Sequence, residues 1–266
     1  MMAVIRWTLW QRRWSIIWWC VGITAFLVLS LGFYPAVRDQ AAELDQALEH
    51  IPKAAKAFIT DQSDILSPTG FLSARVFYLM LPLILGVLTI GLGNSLLAKE
   101  ESEGTLELLL SRPISRGRLL AAKALSGLII LAVVGAVALI DILVLSKLVG
   151  MEVPLSDIAL ATLLCLLFVL SLGSIAFYMS SVGRRGRLAG VGVAVFIGLG
   201  SYIVSSLTSL ADWLKWPDRF LPYHYYRPGE VLNGVYDWGW AWLFVVIIVI
   251  LGVLSWASFR RRDIGA

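Results

Sequence analysis

Six apolar runs, each at least 20 residues long, leave this chain few ways to fold. They are Ser15–Tyr34, Val76–Ala98, Leu119–Ser146, Ile158–Ser181, Leu188–Leu210 and Trp238–Phe259. A helix rises about 1.5 Å per residue, so each run is long enough to cross a hydrocarbon core of roughly 30 Å. Composition agrees: of 266 residues 59% are apolar and 15% charged, whereas soluble domains are about a quarter charged. The expected fold class is an all-α polytopic membrane protein with six transmembrane helices. A conventional soluble enzyme, a disordered tail and a disulfide-stapled secreted domain are excluded. Cys20 and Cys165 both lie inside apolar runs and build neither a disulfide framework nor a thiolate metal cluster.

Lys and Arg predict the orientation. Of the 22, 14 lie in segments 1–13, 99–118 with Lys123, 183–187 and 260–266; the alternate segments 35–75, 147–157 and 211–237 hold 8. This bias puts both termini in the cytoplasm. It also accounts for the net charge of +4 without a nucleic-acid partner. The tryptophans sit near span ends, from Trp7, Trp10, Trp14, Trp18 and Trp19 through Trp213, Trp216, Trp238, Trp240 and Trp242 to Trp256, where amphipathic rings prefer the interface. The first run reads as a retained anchor, being longer than a signal-peptide core and lacking a small-x-small cleavage site. Arg12-Arg13 followed by Trp14-Ser15-Ile16 does not make a twin-arginine leader.

Between the spans, residues 1–13 mix Val4, Ile5, Trp7, Leu9 and Trp10 with Arg6, Arg12 and Arg13 and predict an interfacial amphipathic helix. The outer loop 35–74 carries a helical stripe, Val37, Ala41, Leu44, Leu48 and Ile51, stopped by Pro52. Its partner is a membrane surface, the chain's own spans or a second copy. Segment 211–237, with prolines at 217, 222 and 228, is too aromatic for a solvated linker and too broken for a span; it predicts a short re-entrant or interfacial segment. His224 within it reads as an interfacial packing residue, because the other histidine, His50, lies in another loop.

The segment between the second and third runs is the most informative. Glu100, Glu101, Glu103 and Glu107 come first; Arg112, Arg116 and Arg118 follow. That order complements a helix dipole at both ends. Leu106, Leu109 and Leu110 form one face, and burying each leucine is worth about 1.5–3 kcal/mol. An anionic inner leaflet repels the glutamates, so the face points to a protein partner.

This stretch resembles the corresponding segment of ATP-binding-cassette type-2 (ABC-2) transporter permeases. The matching residues are Glu103-Gly104-Thr105-Leu106-Glu107 and Leu109-Leu110-Ser111-Arg112-Pro113-Ile114-Ser115-Arg116. The tail is also similar, at Pro222-Tyr223-His224-Tyr225-Tyr226 and Phe259-Arg260-Arg261-Arg262-Asp263-Ile264. The resemblance implies a permease fold of the type V exporter kind in a prokaryotic plasma membrane, with two such chains and two cytoplasmic ATPase subunits. It implies a coupling helix over residues 101–110, with Glu101, Glu103, Gly104, Thr105, Leu106, Glu107, Leu109, Leu110 and Arg112 at the ATPase contact. It further implies that the second and fifth spans face the dimer axis, where Thr89, Gly190, Ala194, Gly198 and Tyr202 line or seal the path. ATP and Mg would belong to the partner ATPase, and this chain is expected to hold no cofactor, no metal and no catalytic site.

The residues themselves add four points. The sequence has no Gly-Lys dipeptide, so a phosphate-cradling G-x-x-x-x-G-K-[ST] loop is absent. Gly186, Gly190, Ala194 and Gly198 recur every four residues, a stripe that lets a neighbouring helix approach closely. Asp141 is the acidic residue well inside a span and reads either as a path residue or as a structural pairing near the outer end. Asn94 and Ser95 predict helix-to-helix hydrogen bonds. A hydrophobic or amphipathic small molecule is the expected substrate. A gradient-driven transporter or channel, and a ligand-sensing regulator of the same fold, remain the alternatives.

Overall fold

The computed structural model describes residues 1–40, 66–102 and 115–261. Among them the regular structure is entirely helical. Six helical stretches are long and apolar enough to cross a membrane: Arg13–Asp39, Pro68–Leu96, Arg116–Leu148, Leu155–Val182, Gly186–Leu207 and Trp242–Arg261. They are called here the first to sixth spans. Most of the outer-loop stripe, the coupling segment from Glu103 onward and the last five residues lie outside the described residues. Glu101 sits in the helix Met80–Ser102 that prolongs the second span.

Two boundaries move for local reasons. The second span starts at Pro68 rather than Val76 because Ser67 caps it, accepting a hydrogen bond from the Gly70 N–H at 3.1 Å, with Pro68 in the first turn. The sixth starts at Trp242 rather than Trp238 because Asp237 Oδ1 accepts the Gly239 N–H at 2.9 Å and holds a turn there.

The second and fourth spans form the centre. Their apolar windows are 67% and 56% buried, against 17–33% for the other four. They meet at two glycines: a Cβ on Gly93 would lie 2.3 Å from the Gly173 carbonyl oxygen, and one on Gly173 would lie 2.9 Å from Thr89. Such backbone approach replaces the hydrophobic drive that helices lack in lipid. The fourth span also packs on the fifth and sixth, while the first packs on the third. Gly183 alone connects the fourth helix to the next, at φ 146° and ψ −174°, a conformation essentially confined to glycine.

The N-terminal helix Met2–Gln11 buries Val4 and Ile5 against Leu119 and Ala122 of the third span, and Lys123 Nζ donates to Thr8 Oγ1 at 3.0 Å. Trp7 and Trp10 face outward. Arg12 Nη2 then reaches Ser95 Oγ on the second span at 2.8 Å.

Candidate translocation surface

The second span is irregular near its N-terminal end. Residues Ser73–Phe77 form a π-turn, with the Tyr78 N–H bonded to the Ser73 carbonyl at 2.7 Å. Pro82 follows, and it has no N–H to give the Tyr78 carbonyl four residues back. Two tyrosines of the segment after the fifth span fill the gap. Tyr223 donates its hydroxyl to the Tyr78 carbonyl, and Tyr226 donates to the Phe77 carbonyl at 2.7 Å. The Tyr-x-x-Tyr spacing in Pro222–Tyr226 thus repairs the break. Around it Tyr78, Tyr202 and Tyr223 meet edge to face, with centroids 5.3–5.8 Å apart, and Phe168 stacks on Tyr226 at 4.8 Å. These are favoured aromatic geometries.

Outside this cluster lies a polar pocket of about 360 Å³. Hydroxyls of Ser205, Ser206, Thr208 and Ser209 line one wall; Asp218, His224, Arg227, Glu230 and Asn233 line the other. Asp218 is 5% exposed and accepts a hydrogen bond from Ser205 Oγ. His224 Nδ1 lies 2.5 Å from its other oxygen. Arg227 pairs with Glu230 at 2.7 Å, its guanidinium 5.2 Å from the Trp240 ring centroid. Tyr236 donates to the Tyr225 carbonyl at 2.8 Å, and burial, with Glu230 and Asp237 nearby, pushes its hydroxyl above the usual phenol range.

Serine, histidine and aspartate here do not form a nucleophilic triad. Both Ser205 and His224 bond the carboxylate, whereas activation needs the histidine on the serine. Among the described residues no three His, Cys, Asp or Glu side chains gather as metal donors. His224 stacks on Trp240 at 6.0 Å and has a carboxylate partner that sequence reasoning missed. The Ser-Ser-x-Thr-Ser run ending the fifth span was the available signal.

Inside the cluster lies an apolar groove of about 90 Å³ between the second, fourth and fifth spans. Ala194, Gly198 and Tyr202 line it with Gly86, Val87 and Leu172. Tyr78 and Tyr223 line both spaces and so separate the groove from the outer pocket. The other candidates fall elsewhere. Thr89 is 4% exposed, its hydroxyl donating to the Val169 carbonyl at 2.8 Å, so it stitches the second span to the fourth. Gly190 packs on Met179 of the fourth span, where a Cβ would come within 2.8 Å of the Met179 side chain. The small-residue stripe therefore serves packing within the chain. Asp141 stands apart from the groove: Thr24 Oγ1 of the first span donates to it at 2.6 Å. At that level the third span packs on the first. Ser95 accepts the bond from Arg12, but the interhelical bond at Asn94 runs from Ser180 to its main-chain carbonyl at 3.2 Å. The Asn94 side-chain oxygen is buried with no hydrogen-bond partner among the described residues.

Beside the groove an apolar face is exposed, with Val87 of the second span 58% exposed and Phe196 of the fifth 79% exposed.

Comparison with known proteins was made on sequence. No curated protein matches the chain. A family model described as "ABC-2 family transporter protein" matches residues 12–264. That range takes in all six spans and the tyrosine segment, and the chain belongs to the ABC-2 transporter family.

Proposed function

We propose that this chain is the permease subunit of an ATP-driven exporter in a prokaryotic plasma membrane, with both termini in the cytoplasm. Two subunits, identical or sister, enclose the path, and two separate cytoplasmic ATPase subunits drive it. Those subunits bind ATP and Mg. The segment Glu101–Arg112 is their contact, with Leu106, Leu109 and Leu110 as the buried face and Glu103 and Glu107 as polar contacts.

The observation that carries this reading is the pair of spaces divided by Tyr78 and Tyr223, an apolar groove on one side and a polar pocket on the other. That sequence of environments suits a hydrophobic or amphipathic molecule leaving an apolar site through a polar exit. The groove, about 90 Å³, is below the roughly 300–1,000 Å³ of sites that enclose a small molecule. A full site therefore takes a second wall, which the exposed face with Val87 and Phe196 supplies when two subunits meet.

The test is to purify the tagged chain gently from its native membrane and identify what accompanies it. A near-stoichiometric soluble ATPase is the expected result. Recovery without any ATPase, together with transport that ion-gradient collapse abolishes and ATP depletion does not, overturns the reading in favour of a gradient-driven carrier.

A further inference from the structure

The end of the bundle that carries the amino terminus holds a basic cleft of about 600 Å³. Met1, Arg116, Arg118 and Arg260 line it, together with Gly117 and Trp256. These groups come from three places: the start of the chain, the first turn of the third span and the last turn of the sixth. The seam between the two spans is tight at this level. A Cβ on Gly117 would fall 2.7 Å from the Trp256 indole nitrogen, so the ring lies directly on the glycine backbone. The Arg260 guanidinium in turn sits 4.5 Å from the centroid of the Trp256 ring. An indole holding a guanidinium at a span end marks headgroup depth.

Deeper along the same seam an apolar slot of about 130 Å³ opens. Ala124, Gly127 and Leu128 line it from the third span and Ile248 and Gly252 from the sixth, while the second and fourth spans, at Leu96 and Phe177 among others, form its back wall. A Cβ on Gly252 would meet nothing within 4 Å. Gly252 and Ile248 lie one and two turns from Trp256, so the slot starts about 6 Å below the cleft and extends to about 12 Å. A cationic rim at headgroup depth thus stands over a narrow apolar slot that the same two helices flank and that the second and fourth spans back.

We propose that this seam binds one anionic phospholipid, its phosphate among Arg116, Arg118 and Arg260 and one acyl chain in the slot beneath. A free phosphate or phosphate monoester satisfies the rim but leaves the slot unused. A zwitterionic lipid fills the slot but brings its own cation in beside three guanidinium groups. The inference rests on membrane embedding and is independent of the ATPase contact.

Native mass spectrometry of the full chain in detergent, offered equal phosphatidylglycerol and phosphatidylcholine, tests it. The wild-type chain retains one phosphatidylglycerol in preference. The double variant R118Q/R260Q loses that preference by roughly thirtyfold, two cations near the surface each contributing several-fold. Gly252→Leu leaves the charges in place but fills the slot, and it also loses the bound phosphatidylglycerol. Glycerol 1-phosphate in large excess does not displace the lipid. Equal retention of both lipids by the wild-type chain, or an unchanged preference in R118Q/R260Q, overturns the proposal. Displacement by glycerol 1-phosphate also overturns it, assigning the cleft to a soluble phosphate. Unchanged retention in Gly252→Leu removes the acyl slot and with it the lipid assignment. Thermal unfolding of each variant identifies any loss that reflects misfolding, and Gly252→Leu is placed where the structure has room.

Discussion

At the scale of single residues, the tyrosines show how one backbone defect organises the half of the molecule that holds the polar pocket. Pro82 removes the donor that the Tyr78 carbonyl would use in a regular helix, and the Tyr223 hydroxyl takes its place. The bond is a contact between segments 145 positions apart. Tyr223→Phe leaves a buried carbonyl without its partner and should destabilise the chain by about 1 kcal/mol, the range found for side-chain bonds within membrane proteins. Pro82→Ala returns an N–H at the right position, so Tyr223→Phe should lose most of its effect in that background. A double-mutant cycle on thermal unfolding in detergent measures the coupling, and strict additivity of the two changes would show that the tyrosine does not serve the carbonyl. Asp141 follows the same logic. Its charge is inside a span, but Thr24 meets it at 2.6 Å, so its partner is a hydroxyl on a neighbouring helix.

Among the elements, the crossing of the second and fourth spans is the contact on which the bundle is built. Gly93→Ala would drive a methyl group to 2.3 Å from the Gly173 carbonyl oxygen, and backbone cannot retreat as a flexible side chain can. The expected loss is about 1–3 kcal/mol, seen as a lower thermal midpoint. Gly91→Ala, two positions away with nothing within 4 Å of its Cβ, should be neutral or slightly stabilising, since alanine is the better helix former. Equal effects of the two substitutions would show that helix propensity, not the crossing, sets the stability. The contrast also marks what was legible in advance. Apolar runs could be read directly, because a bilayer admits few structures for a segment of that length. The Gly186–Gly198 stripe could be read as a packing surface, yet not its partner: sequence spacing says that a helix comes close, and only the fold says that Met179 and Leu172 of the fourth span are what it meets. The start of the second span was hidden for a different reason, since the Ser67–Pro68 cap lies beyond the edge of the apolar run. Likewise the Pro222–Tyr226 motif was visible, but the carbonyls of Phe77 and Tyr78 became its partners through topology alone.

At the scale of the whole molecule, the parts divide by depth. One end holds the polar pocket and its tyrosine floor, the middle holds the apolar groove, and the opposite end carries Arg116, Arg118 and Arg260 beside the start of the chain. Under the proposed function, the second span is the direct route from an ATPase to the groove, because it continues as one helix from Met80 to Ser102 and leads in sequence to the proposed contact segment. A helix is stiff along its axis, so on that reading a displacement at Ser102 would be delivered to Val87 and Gly86 in the groove wall. The double variant Glu103→Ala/Leu109→Ala removes one polar contact and one buried leucine from the proposed docking face while leaving the spans untouched. It should insert and melt as the unaltered chain does, yet fail to bring the proposed ATPase down in pull-down and show basal ATP hydrolysis by the mixture. Leucine burial is worth about 1.5–3 kcal/mol, so loss of that side chain alone weakens docking by roughly ten- to a hundredfold. Unchanged co-purification and unchanged substrate-stimulated hydrolysis in the double variant would move the coupling surface elsewhere on the basic end, and the exposed N-terminal helix face with Trp7 and Trp10 would be the next surface to alter.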